Sequence, residues 1–333
     1  MTRRLDSILV GAAVAGVLIA GSAHAEDRTF VSKPAQTFDT HALDLEHVIG
    51  DVTVKITDGG PMSLQLSGPR PLVDGTRAEN KGGTLVIGGA QHFGQNFSVW
   101  DVSKWFDYSD VGDKSHLRLT ISVPRGSDVT MTHQIGDVTM GDLMGHVSLE
   151  TISADVRIGR VRDAKVKIVG GGDVTISAVD NNLSLDVAGS GDVRVGPTGS
   201  TVISIAGSGD VSLGAVRGGL SSNMAGSGDL LVASVNGPVT VSMAGSGDTK
   251  IVNGKADPLK ISMVGGGDFV FGGAANNPTI SAIGSGDVWI KSYSGRLSSS
   301  GMADVHVGGQ NFPGIKAPPA PPAPPAPPAP PHN

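Results

Sequence analysis

The chain has 333 residues, a formal net charge of −6, 49 glycines and no cysteine. Its mild acidity argues against nucleic acid as a partner, because the sequence has no basic patch that could release counterions from phosphates. The absence of cysteine excludes disulfides and thiolate metal sites within it.

Residues 1–25 have the pattern of a secretory signal. The basic pair Arg3-Arg4 precedes an apolar run of 13 residues at 8–20, and Ala23-His24-Ala25 is a small-residue cleavage site. The run is short for a membrane span, and no later segment reaches 18 apolar residues. We therefore predict that this segment is removed after Ala25, and that the exported mature chain has no integral membrane segment.

Residues 26–90 resemble an irregular start of the domain that follows. His47 to Val54 anticipates Gln134 to Met140, and strand-like runs occur at 62–66 and 84–87. The first repeats of a solenoid are often atypical because they cover an exposed apolar end. We expect one β-domain over 26–308, with capping segments at its start.

Residues 91–116 interrupt the pattern with a concentration of aromatic residues, which has two interpretations. They could form a recognition surface for a sugar or a partner protein, since aromatic rings are common at such sites. They could instead pack over the end or one face of the domain, which is the commoner fate of large rings. The candidate binding residues are Phe97, Trp100, Trp105, Phe106 and Tyr108.

The rest of the domain is built on a repeated Gly-x-Gly-Asp motif. Ala188 to Asp192 reads Ala-Gly-Ser-Gly-Asp, and the same five residues recur at 206–210, 225–229 and 244–248. With looser copies, ten aspartates follow one another at intervals of 17 to 20 residues. They are Asp137, Asp155, Asp173, Asp192, Asp210, Asp229, Asp248, Asp268, Asp287 and Asp304. A period held this long indicates a repeat architecture.

Alternation around each aspartate indicates strands. Val193 and Val195 flank Arg194, Leu185 precedes Val187 by two residues, and no window shows apolar residues at helical spacing. One such unit cannot bury its apolar face alone, whereas stacked units can. We predict an all-β fold, a parallel β-helix with coils of about 19 residues and an aromatic-rich insertion. A β-sandwich of short hairpins is the alternative, but it does not require so regular a register.

The aspartate column has a structural and a metal-binding interpretation. In-register carboxylates about 5 Å apart repel each other by about 0.8 kcal/mol per neighbour even in water, so each needs local compensation. An aspartate in a tight turn obtains it from backbone N–H groups, and flanking glycines accept positive φ. Calcium-binding β-rolls repeat every nine residues, and calcium prefers six or more oxygens, which one aspartate per coil does not offer. We therefore favour a structural turn column with no metal and no cofactor.

Catalytic patterns are missing from the sequence. The histidines appear isolated, and neither a Ser/His/Asp arrangement nor metal-ligand spacing occurs. The cluster from Arg157 to Lys167 is typical of a solvated basic face. We predict that the chain is not an enzyme and has no catalytic residues. The alternative is a lyase or hydrolase that acts on polysaccharides from a groove of a β-helix.

Residues 309–333 differ from the domain. A Pro-Pro-Ala repeat occupies 317–331, and this composition favours an extended polyproline II helix without a core. We expect a Pro-Pro-Ala-rich disordered tail. A spacer and a ligand for an aromatic-lined groove are the functional alternatives.

The repeats resemble a known bacterial family. The Ala-Gly-Ser-Gly-Asp copies, preceded by Thr-Leu-Val-Ile at 84–87 and Leu-Arg-Leu-Thr-Ile-Ser-Val-Pro at 117–124, are similar to the GIN-domain proteins, described as auto-transporter adhesin heads. The resemblance covers about residues 40–308. It implies a secreted β-helical domain in the envelope of a Gram-negative bacterium, and it transfers no catalytic residue to this chain.

These observations predict an exported, non-enzymatic β-solenoid of the cell envelope that serves in binding, adhesion or scaffolding. Its expected location is the periplasm or the cell surface. Its candidate partners are an envelope glycan or a surface protein.

Overall fold

The computed structural model describes residues 29–88, 116–308 and 312–322. The predicted signal sequence and the aromatic residues between 91 and 115 lie outside this part of the chain. The described part is a β-solenoid of about 9 turns with coils of about 19 residues, which confirms the predicted parallel β-helix.

The strands from residue 128 onward form two parallel sheets that meet at the aspartate turns. The leading sheet contains the segments before each aspartate, and the trailing sheet the segments after it. The longer strands bend at a corner and continue from one sheet into the other. The strands are β9 (Asp128–Ile135), β10 (Val138–Met140), β11 (Leu143–Ser153), β12 (Val156–Gly171), β13 (Val174–Val179), β14 (Asn182–Gly189), β15 (Val193–Val195), β16 (Ser200–Gly207), β17 (Val211–Val216), β18 (Leu220–Gly226), β19 (Leu230–Gly245), β20 (Thr249–Gly265), β21 (Phe269–Asn276), β22 (Thr279–Gly284), β23 (Val288–Ser294), β24 (Ser298–Gly301) and β25 (Val305–Val307).

Equivalent residues of successive coils lie opposite each other. In the pairing of β14 with β16, Leu185 lies opposite Ile203, and Ala188 lies opposite Ala206. Successive side chains of a strand point to opposite faces, so Ile203 and Ile205 are buried while Val202 is exposed. The interior is therefore a stack of aliphatic layers, and burial of these layers in neighbouring coils holds the solenoid together.

The N-terminal part contains eight strands and one helix among the described residues. They are β1 (Phe30–Ser32), β2 (Gln36–Phe38), β3 (Ala42–Glu46), β4 (Asp51–Thr57), β5 (Met62–Pro69), α1 (Arg70–Gly75), β6 (Arg77–Lys81), β7 (Thr84–Gly88) and β8 (Arg118–Pro124). Helix α1 was not predicted. The first turn of α1 contains a proline, whose ring fixes φ near the helical value. Val73 of the same helix is fully buried.

The coils of this part do not stack in chain order. Strands β3 and β4 pair in parallel with β9 and β10 on one side and with β7 and β8 on the other. The coil made of β7 and β8 is therefore the outermost one at this end.

The two ends of the solenoid differ in the exposure of their strand edges. At the N-terminal end, β5 covers the outer edge of β8 and β6 covers that of β7, both in antiparallel pairing. Covering such edges prevents another chain from adding to the sheet. At the C-terminal end, β24 and β25 pair only with the preceding coil among the described strands.

Candidate functional site

The Gly-Ser-Gly-Asp turns stack into one corner of the solenoid, where carboxylates and backbone N–H groups alternate. In each rung, one aspartate donates its backbone N–H to the Oδ1 of the aspartate in the preceding coil, at 2.8 to 3.3 Å. The donors are Asp173, Asp192, Asp210, Asp229, Asp248, Asp268 and Asp287. We call this series the aspartate ladder.

A second hydrogen bond closes each rung in the opposite direction. Val211 N, for example, donates to the Asp229 carbonyl oxygen at 2.8 Å. The accepting carboxylates, from Asp155 to Asp268, thus each have a donor that offsets the repulsion of their neighbours. An N–H bonded to a charged acceptor makes a strong hydrogen bond. The sequence predicted compensation within the turn, whereas the donor belongs to the next coil. The role of the whole column in setting turn geometry remains a prediction.

The ladder stops before the first aspartates of the column. Among the described residues, no backbone N–H donates to the Asp137 carboxylate, which lies between Asp51 and Asp155. Burial, and then the charges of Asp51 and Asp155, raise the pKa of Asp137. At the N-terminal end of the column, the repulsion between neighbouring carboxylates is therefore not offset by the backbone N–H bonds that the ladder provides elsewhere.

Two glycines of each turn are required by the coil below. Gly226 has a φ of +137°, and a Cβ there would lie 2.0 Å from the Gly207 carbonyl oxygen. A Cβ on Gly228 would lie 2.2 Å from the Gly209 carbonyl oxygen. The two glycines of the motif are therefore required because the stacked backbones approach each other too closely for a Cβ.

The outward face of the leading sheet carries a continuous line of exposed apolar side chains beside a line of small polar ones. The first, the apolar stripe, consists of Val169, Ala188, Ala206, Ala225, Ala244, Val264 and Ile283, which pair one above another. The second, the polar stripe, consists of Asp186, Ser204, Asn223, Ser242, Ser262 and Ser281. Val264 is 56% exposed and Ile283 is 53% exposed. Short side chains at one level make this face flat.

A family profile described as "Putative auto-transporter adhesin, head GIN domain" matches residues 47–215, about half of the chain. The chain belongs to this family. The match includes the first turns of the ladder and the aliphatic layers beneath them, which confirms the resemblance seen in the repeats. No curated protein matches the chain.

Several solved structures are similar to this GIN-domain chain. A protein from Parabacteroides merdae titled a putative adhesin has 11% identity and a TM-score of 0.41, over 84% of this chain and 95% of its own. Another so titled, from Parabacteroides distasonis, has 15% identity and a TM-score of 0.38, over 85% and 98%. A third, from the same organism, is titled a putative lipid binding protein, with 13% identity and a TM-score of 0.37, over 84% and 96%. The similarity is too distant to transfer a function.

The basic cluster predicted as a solvated face is exposed, and part of it is paired with carboxylates. Lys167 Nζ lies 2.8 Å from Glu150 Oε1, and this hydrogen bond lowers the pKa of Glu150. Arg162 lies 3.1 Å from Asp163 in the same zone. Exposed pairs of this kind contribute about 0–1 kcal/mol each, so the zone is ordinary protein surface.

The histidines are less isolated than the sequence suggested. His47 and His133 occupy equivalent turns of adjacent coils, both with positive φ, and their rings stack with centroids 4.6 Å apart. The prediction of isolation was wrong for this pair, because the coil of β3 and β4 stacks against that of β9 and β10. The alignment of His47-Val-Ile-Gly-Asp with His133-Gln-Ile-Gly-Asp could have indicated it.

One group in the described part of the chain could offer several ligands to a metal ion. Ligand atoms of Asp287, Asp304 and His306 lie within 4.8 Å of one another at the C-terminal end of the aspartate column. Asp304 is exposed and the other two are half-buried. Three donors at an open edge would leave a bound cation largely hydrated.

A cavity at the stacked turns is far too small for a substrate. It has a volume of about 10 Å³, room for about one water molecule, and is lined by Met224, Met243 and glycine backbone. The five candidate aromatic residues between Phe97 and Tyr108 lie outside the described residues. No helix in the described part of the chain is long and apolar enough to span a membrane.

Proposed function

We propose that the chain is an exported, non-enzymatic binding module of the bacterial cell envelope, and that the outward face of its leading sheet is the binding surface. The observation that carries this proposal is the apolar stripe beside the polar stripe. Repeated contiguous apolar exposure rimmed by polar groups is typical of an interaction surface. Family membership supports an adhesion-type role.

The periodicity of the face suggests a ligand that also repeats. Equivalent side chains recur about every 4.8 Å along the axis, so an extended polymer meets the same chemistry at each coil. Serine and asparagine donate and accept hydrogen bonds, while alanine and valine offer apolar contact. A sugar ring presents hydroxyls and an apolar C–H face, so an envelope glycan fits this chemistry. A surface protein is the alternative partner, and the predicted aromatic insertion would extend the same binding role.

The alternative function is an enzyme acting on polysaccharides. Such an enzyme needs a groove in which two carboxylates stand 5 to 10 Å apart near the scissile bond. Seven carboxylates of the column, from Asp155 to Asp268, instead accept a backbone N–H from the next coil in a regular ladder. This arrangement supports the binding module over the enzyme.

Localisation is tested with intact cells that carry an epitope tag after Pro331 and are treated with external protease. Loss of the epitope without lysis supports surface adhesion. Protection until the outer membrane is permeabilised supports a periplasmic glycan binder or scaffold. An epitope that stays protected in both conditions would contradict export.

The binding face is tested by co-sedimentation of the purified mature protein with isolated peptidoglycan and with intact cells. Ala188→Arg combined with Ala225→Arg places two long charged side chains on the apolar stripe, and we expect binding to fall at least about tenfold. The matched control, Asn236→Arg with Ala274→Arg, changes exposed residues off this face. Equal binding by both variants would contradict the assignment of the face, and release of soluble sugars would favour the enzyme.

A further inference from the structure

The described part of the tail, residues 312–322, presents one side to the solenoid. Phe312, Ile315, Pro318 and Pro321 are half-buried, and the residues between them are exposed except Pro313. A polyproline II helix has three residues per turn, so every third residue lies on the same side. We call residues 312–322 the proline strap.

The position of the strap is shown by the contact between Pro321 and Gly196. The Pro321 Cγ atom is 3.2 Å from the position that a Cβ on Gly196 would occupy. Gly196 directly follows β15, which is six coils away from β25, the last strand of the solenoid. The strap therefore runs back along the solenoid, antiparallel to the direction in which the coils accumulate.

The strap and the coils have matching periods. Three residues of polyproline II advance about 9.3 Å, and two coil spacings advance about 9.6 Å. From Phe312 to Pro321 the strap spans about 28 Å, and six coils span about 29 Å. One turn of the strap therefore meets every second coil in the same way.

The surface below the strap is a trough lined mainly by small residues, with Val252 and Lys291 as the two larger ones. It is formed by the position four residues after each aspartate: Gly141, Gly159, Ser177, Gly196, Gly214, Ala233, Val252, Gly272 and Lys291. Coil stacking imposes several of the glycines, because a Cβ on Gly196 would lie 1.9 Å from the Ser177 carbonyl oxygen. Stacking thus leaves a shallow channel along the axis.

The neighbouring column of the trailing sheet adds apolar groups beside the trough. Phe269 and Phe271 point inward, so Val270 between them faces outward, yet it is only 2% exposed. Leu231 and Trp289 hold equivalent outward positions on nearby coils, and Lys250 stands between Leu231 and Val270 in the same column. The short trough side chains and these apolar groups suit proline rings, which bring a preformed chain with little entropy to lose.

We propose that the trough is a docking groove for a polyproline II helix, and that its occupant is the C-terminal Pro-Pro-Ala tail of the same chain. The three-residue repeat equals one turn of the helix, so each turn offers a proline to the groove. This inference is independent of the proposed binding face on the leading sheet.

The test is the rate of trypsin cleavage after Lys316, an exposed strap residue, in the full mature chain. Pro318→Glu with Pro321→Glu puts two charges on the side that faces the groove. Docking protects the strap, so we expect this variant to be cleaved on the order of tenfold faster than the wild type. The matched control, Pro319→Glu with Pro322→Glu, removes as many prolines from the exposed side and should be cleaved at the wild-type rate.

A third variant, Ala233→Glu, fills the trough from the solenoid side and should also accelerate cleavage. Thermal melting verifies that each variant is folded. Equal cleavage of the two proline variants, or wild-type cleavage as fast as that of a free peptide of residues 309–325, would overturn the proposal. Protection that is lost on dilution, together with a dimer in light scattering, would assign the strap to a second copy and overturn intramolecular docking.

Discussion

The regular coils between residues 155 and 307 and the N-terminal coils between 42 and 140 have the same aliphatic interior but are built in different ways. In the regular part each coil stacks on the previous one in chain order, and the glycine pair and the aspartate ladder repeat at every turn from Asp173 to Asp287. In the N-terminal part the coil of β3 and β4 lies between two later coils, and antiparallel strands cover the outer edge. Burial of apolar layers thus suffices for a coil, whereas the ladder and the glycines belong to regular stacking.

The largest expected effect comes from breaking the stacked turns themselves. Gly226→Ala adds a Cβ 2.0 Å from the Gly207 carbonyl oxygen at a φ of +137°. We expect it to lower the free energy of unfolding by about 3 kcal/mol, measured by denaturant unfolding. Gly171→Ala is the control, because Gly171 occupies the serine position of its turn with nothing near its Cβ. If the control were equally destabilising, close backbone approach would not explain the motif.

A cavity beneath β5, which covers the outer edge of β8, should lower the local stability of the N-terminal coils first. Leu64 in β5 is 1% exposed, and Leu64→Ala should cost about 2–3 kcal/mol. Because repeats depend mainly on their neighbours, amide exchange should rise in β7 and β8 and stay unchanged in β20 to β22. Ile283→Ala, at a side chain that is 53% exposed, should alter stability by less than about 0.5 kcal/mol. Uniform loosening of all coils would contradict this difference between the regions.

Removal of one ladder carboxylate should have a moderate effect. Asp229→Ala deletes the acceptor of the Asp248 N–H, and this exposed bond should contribute about 1 kcal/mol. Asp229→Asn keeps an acceptor oxygen and should unfold close to the wild type. The comparison is made by thermal melting, where the alanine variant should melt about 2–4 °C lower. Equal melting of the alanine variant and the wild type would count against the ladder.

The smallest expected effect has the opposite sign. The pKa of Asp137 is raised in the folded chain, so the folded state binds its proton more tightly than the unfolded state does. Stability from this group is present at acid pH and is lost as the pH rises from the unfolded pKa through the folded one. Asp137→Asn should therefore stabilise the chain at pH 7, by less than about 0.5 kcal/mol because the carboxylate is exposed. The gain should disappear at pH 3, and destabilisation at pH 7 would contradict the assigned repulsion.

Much of the regular part follows from the sequence because its period is local. The spacing of the aspartates and the alternation around Arg194 indicate the coil length, the inward residues and the stacking register. The order of β3, β7 and β9 could not be obtained this way, because single coils carry no motif that selects their neighbours. The donor to each aspartate was assigned to the wrong coil for a similar reason: the N–H groups within a turn and above it are indistinguishable in the sequence.

The candidate surfaces were less visible than the fold. The position of Ala188 in the repeated motif was clear, but its exposure beside Val169 and Val264 depends on which face of the leading sheet is inside. The fit of the proline strap to the trough depends on two sequence periods, 3 residues in the tail and about 19 in the domain. The two match only as distances along the solenoid axis, because one turn of the strap is about as long as two coil spacings. The stacking of His47 on His133 was not predicted either, because it depends on the pairing of β3 with β9.

Amide hydrogen exchange of the ten column aspartates, followed by NMR with selective aspartate labelling, tests the central claim most directly. The ladder predicts that the amides of Asp173, Asp192, Asp210, Asp229, Asp248, Asp268 and Asp287 are protected, on the order of a hundredfold or more. The amides of Asp137, Asp155 and Asp304 have no acceptor among the described residues and should exchange quickly. Equal exchange of all ten would show that the repeated aspartate does not link the coils, and it would contradict the account of the regular region.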